Sequence, residues 1–137
     1  MNDEDLTEKA KKVFEKDYFA KNTVGIEIVE VRNNYAKCSL DLEQKHMNLG
    51  GAVMGGVLFT LADYCFGVAV NMVKMTTFTV SASIDYFTSP KTKTIYAETV
   101  LNKDGKNICH YDVIIKDGND NKVAMAKFVG YHLDSRN

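Results

Sequence analysis

One carboxylate stands near the middle of an apolar run. Residues 48–73 read NLGGAVMGGVLFTLADYCFGVAVNMV, and from residue 51 onward the exceptions to apolar side chains and glycine are Thr60, Asp63, Tyr64 and Asn71. An isolated carboxylate withdrawn from water costs several kcal/mol unless it is paired or used, so Asp63 calls for a partner or a task. Eight residues upstream, Gly55 and Gly56 open the helical part of the run. The first turn of a helix offers free N–H groups and a partial positive charge. Glycine there lets a ligand approach the backbone. Such a turn can serve as an oxyanion hole for a carbonyl oxygen. The Asn48 amide, just before it, can polarise the same oxygen, and Asp63 can act as nucleophile or general base.

Spacing constrains this reading. Eight residues of helix span about 12 Å at ~1.5 Å per residue, so Asp63 cannot reach a carbonyl held on Gly55 of its own chain. An antiparallel partner helix would bring its Asp63 to that position, and the constellation becomes an active site only if two copies share it. Blander readings stand beside it. Gly-Gly at a helix start is more often a turn or a close-packing device, and Asn48 alone is more often a loop or capping residue. His46 reads equally well as a loop histidine, and His110 and His132 as strand residues. No Ser-His-Asp or Cys-His grouping and no metal-ligand spacing is visible, so no metal is expected; GxGxxG and P-loop patterns are missing too.

The elements that must position these groups follow from periodicity. Residues 4–19 carry Leu6, Ala10, Val13 and Phe14 at helical spacing. Residues 26–31 (IEIVEV) and 35–42 (YAKCSLDL) alternate as a hairpin. The apolar helix runs from residue 55 to about 72. Residues 77–87 (TFTVSASIDYF) alternate again, with Phe78, Val80, Ala82, Ile84 and Tyr86 on one face and Thr77, Thr79, Ser81, Ser83 and Asp85 on the other. Strands at 94–102, 107–116 and 122–133 are separated by two Asp-Gly turns. The last four strands are expected to form an antiparallel meander, which makes the class α+β. An all-apolar helix needs more cover than one flat sheet face, so a curved sheet, a second subunit, or both must enclose it.

The chain as a whole excludes several functions. Its 137 residues fit one domain, residues 1–137, and 17 basic against 18 acidic residues leave a net charge of -1. General nucleic-acid binding requires a basic excess that is not present. Cys38, Cys65 and Cys109 are sparse and odd in number, which suggests reduced thiols in a cytoplasm. The acidic N-terminus has no apolar core of a signal peptide. The apolar helix is short for a membrane span and has Asp63 near its centre, so no span is expected.

The motif formed by His46, Asn48, Gly51, Met54, Gly55, Gly56, Leu61 and Asp63 resembles the signature of hotdog-fold acyl-CoA thioesterases of the phenylacetic-acid-degradation (PaaI-like) group. SASIDYFTSP, residues 81–90, is similar to that family's strand ending in Tyr and Pro. The resemblance implies a curved antiparallel sheet wrapped round a central helix, assembled as a dimer or a dimer of dimers. It implies hydrolysis of an acyl-CoA to a carboxylate and coenzyme A, with no cofactor beyond the coenzyme A of the substrate. Asp63 would be the catalytic carboxylate, supplied by the partner to the Gly55 N–H and the Asn48 amide. Ser81, with Thr79 and Ser83 as alternatives, would assist the water. Gly56, His46, Met54 and Tyr86 would contact substrate, and Lys91, Lys93 and Lys106 would lie near the coenzyme A phosphates. Aryl, short-chain and medium-chain acyl groups all suit a pocket lined by residues such as Phe59, Phe66, Tyr86 and Phe87. Met54 stands where the family has a histidine before Gly-Gly. That departure keeps a non-catalytic acyl-CoA-binding protein as the alternative. A hotdog dehydratase ranks below both.

Overall fold

The computed structural model describes residues 1–72 and 75–134. Val73, the last residue of the apolar run, lies outside the described residues. Helix α1 spans Asp3–Val13 and is capped by the Asn2 side chain, which accepts from the Asp5 N–H at 2.8 Å. It ends six residues before the residue 19 that the sequence periodicity suggested. A 3-10 turn over Phe14–Lys16 and a π-type turn over Phe19–Val24 follow, closed by Gly25 at φ 95°. These tight turns fold residues 14–24 back toward the second helix instead of extending the first.

Strands β1 (Glu27–Arg32) and β2 (Tyr35–Asp41) form the expected hairpin. Helix α2 spans Gly55–Val70. Strands β3 (Thr77–Tyr86), β4 (Thr94–Asp104), β5 (Ile108–Asp117) and β6 (Lys122–His132) complete one antiparallel sheet in the order β1-β2-β4-β5-β6-β3. The expected four-strand meander is therefore corrected. Only β4, β5 and β6 meander; β3 pairs with β6 at the far edge. Residues 87–93, between β3 and β4, carry the chain back across the sheet instead of making a hairpin. The Asp117 carboxylate pins this crossing. It accepts from the Lys91 N–H at 2.8 Å and from the Asn119 and Asn121 N–H groups at 3.0 Å. Those donors hold its pKa down to about 2 against the opposing effect of burial.

The sheet wraps α2. Leu58, Leu61, Ala62, Cys65, Phe66, Val68 and Ala69 are buried against it, and the Cys65 thiol donates to the Ala36 carbonyl of β2 at 3.3 Å. Phe66 stacks on Phe128 of β6 with centroids 4.9 Å apart. The helix is not enclosed all round. Gly56, Thr60, Asp63 and Gly67 fall at helical spacing on one face that is left open or half-buried. Of the ten residues of β3, only Thr77 is buried. No helix among the described residues is long and apolar enough to cross a membrane.

Candidate active site

The loop before α2 is built by two side chains. Asn48 Oδ1 accepts from the Gly50 N–H at 2.9 Å and the Ala52 N–H at 3.1 Å, and the Asn48 N–H donates to the Ala52 carbonyl at 2.7 Å. With its oxygen spent on the loop, the Asn48 amide has its Nδ2 donor to offer outward. His46 is buried; its Nδ1 accepts from the Glu43 N–H at 2.9 Å and its Nε2 faces the Val24 carbonyl at 2.7 Å. A carbonyl can only accept, so Nε2 carries the proton and both ring nitrogens are used within the fold. His46 thus anchors the loop to residue 24, the loop role the sequence allowed, and has no nitrogen left for a substrate.

Met54 caps α2 with an extended backbone, its N–H bonded to the His46 carbonyl at 2.9 Å, and its side chain is exposed. Gly55 and Gly56 supply the first helical N–H groups, which have no acceptor one turn earlier. The Tyr86 hydroxyl donates to the Gly55 carbonyl at 3.0 Å. Gly55, Leu58, Tyr86, Phe87 and Pro90 line a cleft of about 370 Å³. A second cleft of about 550 Å³ adjoins it through Val53, Ser89 and Pro90 and carries Lys91 and Lys93. Lys106 lies instead at the β4–β5 turn, off both clefts.

Asp63 opens elsewhere, into a cleft of about 350 Å³ with Asp17, Thr60, Asn71 and Thr79. It remains solvent-accessible in the protomer, yet the cleft walls take enough water from its carboxyl to raise the pKa above the ordinary carboxylate value. The Asp17 carboxylate adds to the rise, and a hydrogen bond with the Thr79 side chain opposes it. The structure therefore separates the expected groups within one chain. Gly55, Gly56, Met54, Tyr86 and the Asn48 loop gather at the start of α2, and Asp63 faces a different cleft two turns along.

Thr79, the runner-up in the sequence, takes the place expected of Ser81. The cause is a bulge: the β3–β6 register shifts between Thr79 and Ser81. Thr77 and Thr79 face inward opposite His132 and Gly130, while Ser81 sits opposite Val129. Its neighbour Ala82 pairs with the buried Phe128, so Ser81 points to the outer side of the sheet. The same bulge corrects the expected apolar face. Phe78 lies outward against Tyr131, with ring centroids 5.8 Å apart, while Ala82, Ile84 and Tyr86 share the inner face.

The sequence also missed a chain of three side chains that runs from the buried Thr77 and His132 to the exposed Asp104. Thr77 Oγ1 lies 2.6 Å from His132 Nδ1, and His132 Nε2 lies 2.8 Å from Asp104 Oδ1. Asn71, at the end of α2, accepts from the Thr76 and Thr77 N–H groups at 2.9 and 2.8 Å and donates to the Thr77 carbonyl at 2.7 Å. Together they lock the start of β3 two residues before Thr79. Asp104, Cys109 and His132 have potential ligand atoms within 4.8 Å of one another. Both His132 nitrogens are already hydrogen-bonded, which assigns this group to the lock.

Residues 50–124, more than half of the chain, match the family model described as the thioesterase superfamily. The chain belongs to the thioesterase superfamily. The fold is the hotdog fold of PaaI-like thioesterases, and the protein is a thioester hydrolase. It is similar to the E. coli PaaI protein from the phenylacetic acid degradation operon, with a TM-score of 0.82 at 22% identity, covering 96% of this chain and 98% of the other. A hypothetical thioesterase protein from Streptococcus pneumoniae, solved with coenzyme A, matches with a TM-score of 0.74 at 24% identity, covering 98% of each chain. In sequence, an Archaeoglobus fulgidus protein described as a candidate esterase is 27% identical over 125 residues, 87% of this chain and 81% of its own length.

Proposed function

We propose that this thioesterase hydrolyses acyl-CoA esters carrying an aryl or a short- to medium-chain acyl group, at two equivalent sites shared across a homodimer. The observation that carries the reading is the division of the chemistry. One protomer holds the carbonyl-polarising donors, the Gly55 N–H and Asn48 Nδ2, in one place and the Asp63 carboxylate with Thr79 in another. A second copy related by a two-fold axis joins the two halves. The open face of α2, formed by Gly56, Thr60, Asp63 and Gly67, and the exposed edge strand β3 suit that approach.

In the joined site the thioester carbonyl oxygen accepts from the Gly55 N–H and the Asn48 amide, and negative charge develops on it as the carbon is attacked. Asp63 attacks that carbon itself or removes a proton from a water held with Thr79. Where water attacks, the C–S bond breaks and the acyl group leaves as a carboxylate. Where Asp63 attacks, the same bond breaks to leave an acyl–Asp63 anhydride, which a water then hydrolyses to the carboxylate and free Asp63. On either route the departing sulfur takes up a proton as free thiol. Lys91 and Lys93 line the cleft that adjoins the Gly55 cleft, and in this reading they meet the coenzyme A phosphates. The coenzyme A found with the S. pneumoniae relative supports this ligand class. The free, buried thiols of Cys38, Cys65 and Cys109 accord with a reducing, cytoplasmic setting.

Met54 favours one other reading, a non-catalytic acyl-CoA-binding protein. Its exposed thioether can neither donate to a carbonyl nor move a proton. Free-thiol release from a panel of aromatic and aliphatic acyl-CoAs, with wild type beside Asp63→Asn, separates the two. The expected result is turnover that falls at least about a hundredfold in the variant. Saturable binding with no thiol release from any substrate establishes the binding reading instead.

A further inference from the structure

We propose that Asp17 sets the substrate range of the Asp63 site by excluding acyl groups that end in a carboxylate. The inference rests on the thioesterase reading and deepens it. Asp17 sits where the chain folds back over α2. Its N–H donates to the Phe14 carbonyl at 3.0 Å and its own carbonyl accepts from the Lys21 N–H at 2.9 Å, so its backbone is held from both sides between the two tight turns. The residue lines the same cleft as Asp63.

Among the described residues no cation lies within 4.0 Å of the Asp17 carboxylate: Lys21 is engaged by Glu27 at 2.6 Å, and Lys16 shares a neighbouring cleft with Asp17 without forming an ion pair to it. Fixed negative charge is an unusual choice beside a catalytic carboxylate, since it opposes ionisation of that group. The rest of the wall carries no charged side chain: Phe14, Phe19, Phe66 and Met75 supply apolar surface, and Thr60, Asn71 and Thr79 supply neutral polar groups. A ring or hydrocarbon chain finds matching contacts in such a cleft. A distal carboxylate would enter a space lined by two carboxylates, Asp63 with part of its hydration removed and Asp17 exposed in the protomer. At an effective dielectric near 20, a like charge several ångströms away costs enough to change binding by roughly tenfold or more. Asp17 therefore discriminates by charge at little cost to the binding of neutral acyl groups.

Butyryl-CoA and succinyl-CoA test this, because they differ in the terminal group of a four-carbon acyl chain. Wild type is expected to favour butyryl-CoA in kcat/KM. Asp17→Asn should shrink that preference by roughly tenfold, Asp17→Lys should shrink it further or reverse it, and Asp17→Glu should retain it. A preference unchanged within about twofold in both the Asn and Lys variants overturns the proposal. The same ratio is read as dissociation constants in Asp63→Asn and in Asp63→Asn/Asp17→Asn. Wild type that hydrolyses neither thioester defeats the thioesterase reading for these acyl lengths, while the binding ratio still decides the role of Asp17.

Discussion

At the scale of single residues, the site depends on which hydroxyl faces Asp63. The strand reads TFTVSAS, an unbroken alternation, so Thr77, Thr79, Ser81 and Ser83 look equivalent in sequence. The bulge after Thr79 breaks that equivalence, and it depends on pairing with β6, which no local pattern encodes. Asp63, Asn48 and Gly55 stand out as candidates because each departs from its surroundings in polarity or backbone freedom. The Thr77–His132–Asp104 chain was not, because its members lie 55 and 28 residues apart. Function should follow the bulge. Thr79→Val should lower kcat by about tenfold or more, whereas Ser81→Ala should leave it within about twofold. The pH profile gives a second readout. Loss of hydration and the Asp17 carboxylate raise the Asp63 pKa, so activity should fall on the acid side at a pH above the ordinary carboxylate value. The Thr79 hydrogen bond favours the ionised form; removing it should move that acid limb to still higher pH, and Thr79→Ser should restore it. An acid limb that moves with Ser81→Ala and not with Thr79→Val would reverse the assignment.

At the scale of elements, the two Asp-Gly turns marked β4–β5 and β5–β6 correctly, because a tight reversal needs particular residues in a short stretch. The misplaced strand was β3. Adjacent strands in sequence usually pair, but residues 87–93 carry no two-residue turn, and β3 pairs with β6 instead. What holds β3 there is partly the clamp from the last turn of α2. Asn71 is buried and makes three hydrogen bonds to the backbone of Thr76 and Thr77. Asn71→Ala strands those backbone groups away from water. The expected cost is about 3 kcal/mol, seen as a fall of roughly 10 °C in Tm. Because the clamp sits two residues before Thr79, kcat should drop as well at temperatures where the variant is folded. A variant with wild-type Tm would show that the clamp contributes nothing beyond what water supplies.

At the scale of the whole molecule, the protomer looks like half of a site. Asp63 and Gly55 lie on one helix about 12 Å apart along its axis, and the clefts they line have no residue in common. A mixture of two inactive proteins tests whether the halves meet across a two-fold axis. Let one carry Asp63→Asn and the other Asn48→Ala. In a hybrid dimer, one site combines both substitutions and is dead; the other combines the intact Asp63 of the second chain with the intact Asn48 of the first. Unfolding and refolding an equal mixture gives about half hybrids, each with one intact site of two, so about a quarter of wild-type thiol release should return. If each protomer carried its own complete site, every site in the mixture would hold one of the two lesions and no activity would return. Recovery near a quarter therefore fixes both the assembly and the division of labour. Its absence, with hybrid dimers demonstrated by mass, would overturn the site shared across the two-fold axis.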